Sequence, residues 1–193
     1  MARVEQIEYI ARDTAKAGPD DGLAVAARTD NGAFEQLYVR HRNAVYSYLR
    51  TRTTDGDDAA DLTALTFERA FVAIGRYRPG GAGVRAWLLG IARNAAIDHG
   101  RRRLAAPPPD RPPDPDEGPE ARIVADETAS EVRRHVAALP ADQRDAIVLR
   151  FAAGLSATQI GAVLGKSEAA SQKLVSRGLA ALKEAYRVRS TGR

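Results

Sequence analysis

The sequence predicts an all-α protein: two small helical domains joined by a proline-rich acidic linker, the second containing a helix-turn-helix. Apolar residues recur every three or four positions through most of the 193 residues, which is the period of a helix face, and no segment shows the sustained alternation typical of a strand. Seven of the ten prolines fall within residues 104–122, beside several acids. Since proline removes backbone donors and the acids repel one another, this segment is predicted to be an extended linker without a core.

The linker divides the chain into segments. Residues 1–20 form an N-terminal extension of unassigned role, and residues 189–193 form a short tail. Between them we place a first helical domain at residues 21–103, the linker at residues 104–125 and a second helical domain at residues 126–188. The hydrophobic fraction of 44% is enough for the domains to bury a core.

Three helices are predicted in the first domain. The first has its apolar face at Phe34, Leu37, Tyr38, His41, Val45, Tyr48 and Leu49. Acids at residues 55–58 mark the start of the second, because negative charge stabilises a helix N-terminus. Its apolar positions are Leu62, Leu65, Ala70, Phe71 and Ile74. After a glycine-rich loop at residues 78–83, the third helix runs from about residue 84 to residue 103, with one side formed by Trp87, Leu88, Ile91, Ala92 and Ala95.

Four helices are predicted in the second domain, at residues 126–138, 141–151, 157–164 and 168–186. Ser156 and Ser167 are placed to cap the last two helices, and Gly165 breaks the chain between them. Gly161 lies where two such helices approach closely. The short turn indicates a helix-turn-helix, although an ordinary helical hairpin in a packed bundle has the same pattern.

The last helix has an apolar and a polar side. We expect the apolar side to face inward through Leu174, Leu179 and Leu182. Polar groups near the start of a recognition helix reach base edges and phosphates in the major groove. The residues expected to do so here are Ser167, Glu168, Ser171, Gln172, Lys173, Ser176 and Arg177.

Charge is distributed unevenly along the chain. Residues 34–103 carry 12 basic against 7 acidic residues, and residues 126–193 carry 11 against 7, whereas residues 104–125 carry 2 against 5. Basic blocks in which arginine outnumbers lysine suit a polyanion such as nucleic acid. A solvated, arginine-rich surface is the alternative.

The third helix of the first domain carries a stripe of groups suited to unpaired DNA. Asn94, Asp98 and Arg101 continue the line of Trp87, and Arg93, Arg102 and Arg103 flank it. An aromatic ring stacks on a base, an amide binds base edges, and guanidinium groups pair with phosphates. The alternative is structural: Trp87 belongs to the core, and Asp98 pairs with a neighbouring arginine.

Enzymatic chemistry is not expected. His41, His99 and His135 are scattered, cysteine is absent, and no nucleophile elbow or phosphate-binding glycine loop occurs, so we predict no catalytic residue, no metal site and no cofactor. The acids at residues 55–61 are more simply a solvated helix start than a magnesium cluster. Without an apolar leader or a run long enough to cross a bilayer, we expect a cytoplasmic protein with no membrane insertion.

The order and spacing of these features resemble extracytoplasmic-function sigma factors of the bacterial sigma-70 family. Residues 34–38 (FEQLY), 60–63 (ADLT) with Phe67, and 87–94 (WLLGIARN) with Asp98 and residues 101–103 are similar to the family's region 2. Residues 139–140 (LP), Arg144, residues 154–156 (GLS) and the helix-turn-helix are similar to its region 4.

The resemblance implies a non-catalytic subunit that binds core RNA polymerase, recognises minus-thirty-five and minus-ten promoter elements and initiates transcription of a specific regulon. Region 2 would contact the clamp helices of the largest polymerase subunit through Asp58, Asp61, Leu62, Leu65 and Phe67. It would read the melted minus-ten strand with Arg78, Arg85, Trp87, Arg93, Asn94, Asp98, Arg101 and Arg102. Region 4 would read the duplex minus-thirty-five element and sit on the beta flap, and an anti-sigma factor would hold the protein inactive.

Several positions depart from the family pattern. Residues 64–65 read Ala-Leu where Gln-Glu is common, Gly161 replaces an alanine, Ser171 puts a hydroxyl at a normally buried position, and Leu174 stands where arginine is common. Two other functions are therefore weighed. A stand-alone helix-turn-helix regulator would dimerise on palindromic DNA, and a helical enzyme or protein-interaction module would not require DNA.

Overall fold

The computed structural model describes residues 18, 20–53, 55–105, 132 and 134–191, and all regular secondary structure in these ranges is helical. In chain order the helices are α1 (Asp21–Ala26), α2 (Asn31–Arg50), α3 (Gly56–Ala73), α4 (Gly83–Ala105), α5 (Ala141–Phe151), α6 (Ala157–Leu164) and α7 (Glu168–Thr191). A 3-10 turn at Ile74–Arg76 follows α3, and residues 132 and 134–137 are also helical. The predicted all-α class is confirmed.

Helices α2 and α3 both begin at aspartate caps. Asp30 accepts a hydrogen bond from the backbone N–H of Gly32 at 2.8 Å, and Asp55 accepts one from that of Asp57 at 3.0 Å. Each carboxylate satisfies an amide that has no partner within its helix. Five residues of the predicted face of α2 are buried: Leu37, His41, Val45, Tyr48 and Leu49. The other two are not, since Phe34 is half-buried and Tyr38 is 37% exposed.

The buried side of α3 differs from the prediction in part. Leu62, Ala70 and Ile74 are buried as expected, but Phe71 is 47% exposed. Thr63 and Thr66 lie on the buried side, and each donates its hydroxyl to a backbone carbonyl one turn earlier at 2.7 Å. Because the helix itself satisfies these hydroxyls, threonine is accommodated in the core, which a pattern of apolar residues does not indicate.

Helix α4 lies at the centre of the molecule. It packs against α2 and α3 in the first domain and against α6 in the second. Its fully buried side chains are Val84, Ala86, Leu88, Leu89, Ala92 and Ala95. Many of these are small, which allows close approach from several sides.

The predicted helix-turn-helix is present. Ser156 and Gln159 form a reciprocal capping box at the start of α6, and Gly165 ends the helix with a left-handed backbone at φ 66°. A Cβ on Gly161 would lie 2.5 Å from the carbonyl oxygen of Lys166, so glycine is required there. Helix α7 continues to Thr191, beyond the predicted end at residue 186.

The two domains pack against each other, which the sequence analysis did not anticipate. Helix α4 contacts α6, and the end of α2 lies near α5. Residues 106–130 lie outside the described residues. The predicted linker beyond residue 105, and residues 126–131 and 133 of the predicted helix at residues 126–138, therefore lie outside the described residues.

Candidate functional site

The start of α7 presents a polar surface beside the turn that follows α6. Gln172, Lys173, Ser176 and Arg177 are exposed. Glu168 is also exposed and accepts hydrogen bonds from the hydroxyl of Thr158 at 2.9 Å and from Nε2 of Gln172 at 3.2 Å. Within the part of the chain that the structure describes, Lys173 and Arg177 make no ion pair. Their charges are available to a polyanion.

Ser167 and Ser171 have structural roles at this surface. The Ser167 hydroxyl accepts a hydrogen bond from the N–H of Ala170 at 3.2 Å, as the predicted cap requires. Ser171 is fully buried, and its hydroxyl donates to the Ser167 carbonyl at 3.0 Å. It faces Gly161 across the turn. Ser171 cannot reach a base from this position, so its predicted DNA contact is corrected to a packing role.

The aromatic residue of the predicted single-strand surface is half-buried. The Trp87 ring packs on that of Tyr77 with centroids 5.2 Å apart. Trp87 and the exposed Asn94 line a cleft of about 540 Å³ between α4 and α6, to which α6 contributes Ala162 and Val163. The Trp87 ring is packed on one side and borders a cleft on the other, and its contact with unpaired DNA stays a prediction.

Two arginines of the predicted single-strand surface bind the second domain instead. The Arg93 guanidinium pairs with Asp145 at 3.0 Å, and Arg85 donates to the carbonyl of Ala153 at 3.2 Å. Arg52, at the end of α2, pairs with the same Asp145 and stacks over the ring of Tyr48 at 5.0 Å. Asp145 is 2% exposed, so its carboxylate is buried between guanidinium groups of the other domain.

The other charged residues of this surface remain on the first domain. Asp98 pairs with Arg69 of α3 at 3.3 Å. Arg102 donates to the backbone carbonyl of Asp98 at 3.3 Å. Arg78, Arg101 and Arg102 are exposed. Asp98 therefore takes part in an ion pair, as the structural alternative proposed. Its partner, Arg69, lies on α3 and not on α4, where the neighbouring arginine was expected.

A buried histidine, His41, lines a cleft between the first domain and the second. His41 is 2% exposed, with Nε2 3.0 Å from a carboxylate oxygen of Asp20. Burial lowers the pKa of His41 below its ordinary value of 6.5, because the lowering by burial and by Arg85 outweighs the raising by Asp20. The imidazole is therefore neutral at pH 7.

The residues expected to bind polymerase separate into buried and accessible groups. Leu62 and Phe67 are only 3% and 4% exposed and belong to the core, which corrects their predicted role as polymerase contacts. Asp61 is exposed, and Leu65 is half-buried. Asp58 pairs with Arg103 at 2.9 Å and with His99 at 3.4 Å.

Comparison with known proteins decides the family. Residues 37–105 match the family described as Sigma-70 region 2, and residues 129–182 match Sigma-70, region 4. The RNA polymerase sigma factor CarQ of Myxococcus xanthus is 34% identical over 159 residues, a match covering 79% of this chain and 88% of CarQ. The chain is an extracytoplasmic-function sigma factor.

Two further comparisons extend this result. The ECF RNA polymerase sigma factor BldN of Streptomyces coelicolor is 32% identical over 155 residues, which cover 78% of this sigma factor but only 59% of BldN. The structure of CnrH in complex with the cytosolic domain of CnrY superposes with a TM-score of 0.68 at 28% identity, covering 86% of this chain and 96% of that one. The family resemblance drawn from the sequence is confirmed.

Sequence reasoning missed the groups that join the two domains of the sigma factor. Asp145 and Arg52 carry no local signal, because each looks like an ordinary surface charge on its own helix. An apolar groove was missed as well. It lies between the end of α2, α5 and α7, where Phe151 is 61% and Val132 42% exposed. The sequence does not indicate this groove, because the apolar residues that line it look like core residues of their helices until the exposure of each is known.

Two further observations concern other functions. Among the described residues, no group of histidines and acids is arranged to hold a metal ion. In the same part of the chain, none of the helices combines the length and the apolar character needed to cross a membrane.

Proposed function

We propose that this sigma factor binds core RNA polymerase at the clamp helices and the beta flap, reads minus-thirty-five and minus-ten elements with its second and first domains, and so directs transcription of a specific regulon. The protein takes no catalytic part; it supplies binding surfaces that the polymerase lacks. The observation that carries the proposal is the helix-turn-helix with unpaired basic residues at the start of α7.

The duplex-reading surface consists of exposed groups on one helix. Gln172 and Ser176 supply hydrogen bonds for base edges, and Lys173 and Arg177 supply charge for phosphates. Glu168 is held by Thr158 and Gln172, which fixes its orientation at the helix start. The proposed set omits Ser171, which is buried.

The single-strand surface consists of Arg78, Trp87, Asn94, Arg101 and Arg102, joined by Arg85 and Arg93 once they leave the second domain. The two promoter elements lie about 25 base pairs apart, which is about 85 Å of duplex at 3.4 Å per pair. Domains in direct contact cannot reach both. We therefore assign the packed arrangement to the unbound protein and expect the domains to separate on core polymerase.

Two surfaces suit protein partners. The polymerase clamp would bind the exposed start of α3, where Asp58 and Asp61 supply negative charge and Leu65 supplies apolar area. The apolar groove with Phe151 suits an anti-sigma factor, because exposed apolar patches of this kind mark protein interfaces. CnrH, which shares this fold, was solved with the cytosolic domain of CnrY.

The proposal is tested with purified core RNA polymerase and genomic promoter fragments. We expect the protein to join core stoichiometrically in a pull-down, and run-off transcription by the complex to start at discrete sites. An Asp61→Ala variant should bind core more weakly than an Asp57→Ala control, whose aspartate is also exposed near the start of α3. A protein that ignores core and shifts duplex DNA alone as a dimer would instead be a stand-alone regulator.

A further inference from the structure

The glycine-rich turn before α4 is tied to a buried carboxylate from α1. Asp21 is 1% exposed, although it is charged and lies at the first position of its helix. One carboxylate oxygen accepts hydrogen bonds from the N–H of Gly18 at 2.8 Å and from the N–H of Gly80 at 2.9 Å. The other accepts the hydroxyl of Tyr77. The two contacts to the turn join residues 56 and 59 positions apart in the sequence.

Arg28, two residues beyond the end of α1, also holds Tyr77 in place before the turn. The Arg28 guanidinium donates to the backbone carbonyl of Tyr77 at 2.6 Å. Tyr77 is thus held by its hydroxyl through Asp21 and by its carbonyl through Arg28, and it is 4% exposed. Its ring is the surface on which Trp87 packs. The position of Trp87 is therefore linked, through Tyr77, to the carboxylate of Asp21.

The turn needs such an anchor. Residues 79–83 read PGGAG, and Gly80 and Gly83 both adopt a positive φ of 82°, a conformation that glycine reaches readily. Restricting so many glycines to one conformation costs more conformational entropy than restricting other residues. Arg78, immediately before it, is exposed, and among the residues that the structure describes its guanidinium donates to the neighbouring carbonyl of Tyr77, at 3.5 Å. Without fixed points at Tyr77 and Gly80, Arg78 and Trp87 would have no defined relation to each other.

We propose that Asp21 is a positioning residue for reading the melted minus-ten strand: it fixes Tyr77 and the turn at residues 79–83 so that Arg78 and Trp87 meet the unpaired bases in one geometry. The inference rests on the proposed function of this surface. Asp21 touches no DNA; it reduces the ordering that binding would otherwise require, and binding to a preorganised surface is both tighter and more selective. Neither family match reaches it, since region 2 is matched only from residue 37.

An amide cannot replace this carboxylate fully. Asp21 accepts from three donors as a carboxylate, whereas in asparagine the amide oxygen can serve only the two glycine N–H groups and the Tyr77 hydroxyl must reverse to accept from the N–H₂ group. All three hydrogen bonds also lose the strength that an ionised acceptor gives them. Asp21→Asn therefore keeps the shape of the side chain and loosens its hold on the turn. Asp30→Asn is the matched control, because Asp30 is exposed, caps α2 through a single amide, and asparagine caps helices equally well.

The experiment measures base discrimination by the complex of full-length protein with core polymerase. The probes are pre-melted promoter fragments, from a promoter mapped by run-off transcription, with single-base substitutions across the minus-ten element. The readout is the ratio of binding to the original and substituted fragments, which is independent of the fraction of folded protein. We expect Asp21→Asn to lower this ratio about fivefold at one or more positions, as the loss of one well-placed contact would, and Asp30→Asn to leave it unchanged.

The outcomes separate this inference from the function on which it rests. If the wild-type complex does not discriminate between the fragments, the proposed reading of the minus-ten strand is wrong. If it discriminates and Asp21→Asn does so equally well, with or without a lower melting temperature, Asp21 is merely structural and the inference is overturned. Should Asp21→Asn fail to fold, Tyr77→Phe takes its place, because it removes one of the three donors to Asp21. The same binding ratio is then measured for Tyr77→Phe, and an unchanged ratio overturns the inference.

Discussion

At the scale of single residues, buried polar groups and glycines determine the geometry of the site. Asp21, His41 and Asp145 are each at most 2% exposed, and each faces a partner from another segment of the chain. Burial alone would raise the pKa of Asp21, but hydrogen bonds from Gly80, Tyr77 and Gly18 together lower it below its ordinary value. The carboxylate is therefore ionised at neutral pH, as its role as an acceptor requires.

Gly161→Ala should destabilise the second domain. The added Cβ would lie 2.5 Å from the carbonyl oxygen of Lys166, which is backbone and cannot swing away. Overpacking of this kind costs about 1–3 kcal/mol in the free energy of unfolding. Gly100→Ala is the control, since its Cβ would meet nothing within 4 Å, and alanine in a helix is expected to stabilise by about 0.5–1 kcal/mol. Urea unfolding of both variants checks the sign of each effect.

Stability should fall in mild acid because of His41. Its pKa is lowered in the folded protein, whereas the unfolded chain titrates near 6.5. The stability that neutral His41 contributes is thus fully present above pH 6.5 and is lost as the pH falls through the folded value. Urea midpoints of wild type and His41→Gln at pH 7.5 and pH 5.5 measure this. Equal pH dependence in the two proteins would show that another group is responsible.

At the scale of elements, the helix-turn-helix is the unit best defined by local chemistry. Its caps, its left-handed glycine and its close contact all involve residues within ten positions of one another. The family match over residues 129–182 covers α6, the turn and α7 as far as residue 182. The two sides of α7 differ. Leu174, Leu179 and Leu182 pack against the core, whereas Lys173 and Arg177 face solvent.

Lys173→Ala and Arg177→Ala should each weaken promoter binding by the complex with core polymerase. Each removes an exposed charge from the start of α7, and each lost phosphate contact lowers the slope of log affinity against log salt by about one unit. Lys183→Ala is the matched control, because Lys183 is exposed on the same helix ten residues beyond Lys173. Salt titrations of promoter binding measure the slopes. Equal slopes for all three variants would remove α7 from the duplex-reading surface.

At the scale of the whole molecule, the two domains are held together by a charge cluster. Asp145 of α5 pairs with Arg52 and Arg93 of the first domain. Gln159 of α6 adds a hydrogen bond to the carbonyl of Ala82 at 2.8 Å. Because Arg85 and Arg93 belong to the proposed single-strand surface, we expect the domain contact and promoter DNA to compete for the same side chains.

Asp145→Asn should shift the unbound protein towards separated domains. Removing one partner of a buried ion pair costs about 3–5 kcal/mol, and here it leaves Arg52 and Arg93 facing a neutral amide. Since the chain has no cysteine, donor and acceptor dyes can be attached to Ser47→Cys and Ala180→Cys alone, both exposed positions. We expect lower energy transfer than in the wild type.

Asp142→Asn is the control for this measurement, because Asp142 lies on the same helix but pairs with Lys166 within its own domain, with both side chains partly exposed. Its energy transfer should match the wild type, since such a pair contributes little. If Asp145→Asn also matches the wild type, the carboxylate does not hold the domains together.

Sequence reasoning predicted the helices from α2 onward, apart from the end of α7, together with the helix-turn-helix and the family. Caps such as Ser156 and breaks such as Gly165 act within a turn of their own position, so the local sequence encodes them. The tertiary structure alone decided which polar residues are buried and what they bind. Ser171, Leu62 and Phe67 were expected at interfaces and are buried, because solvent exposure depends on which helix packs on each side. The pairings of Asp145 with Arg93 and of Asp21 with Gly80 join positions more than fifty residues apart, and no short-range pattern records a contact that exists only once the helices have packed.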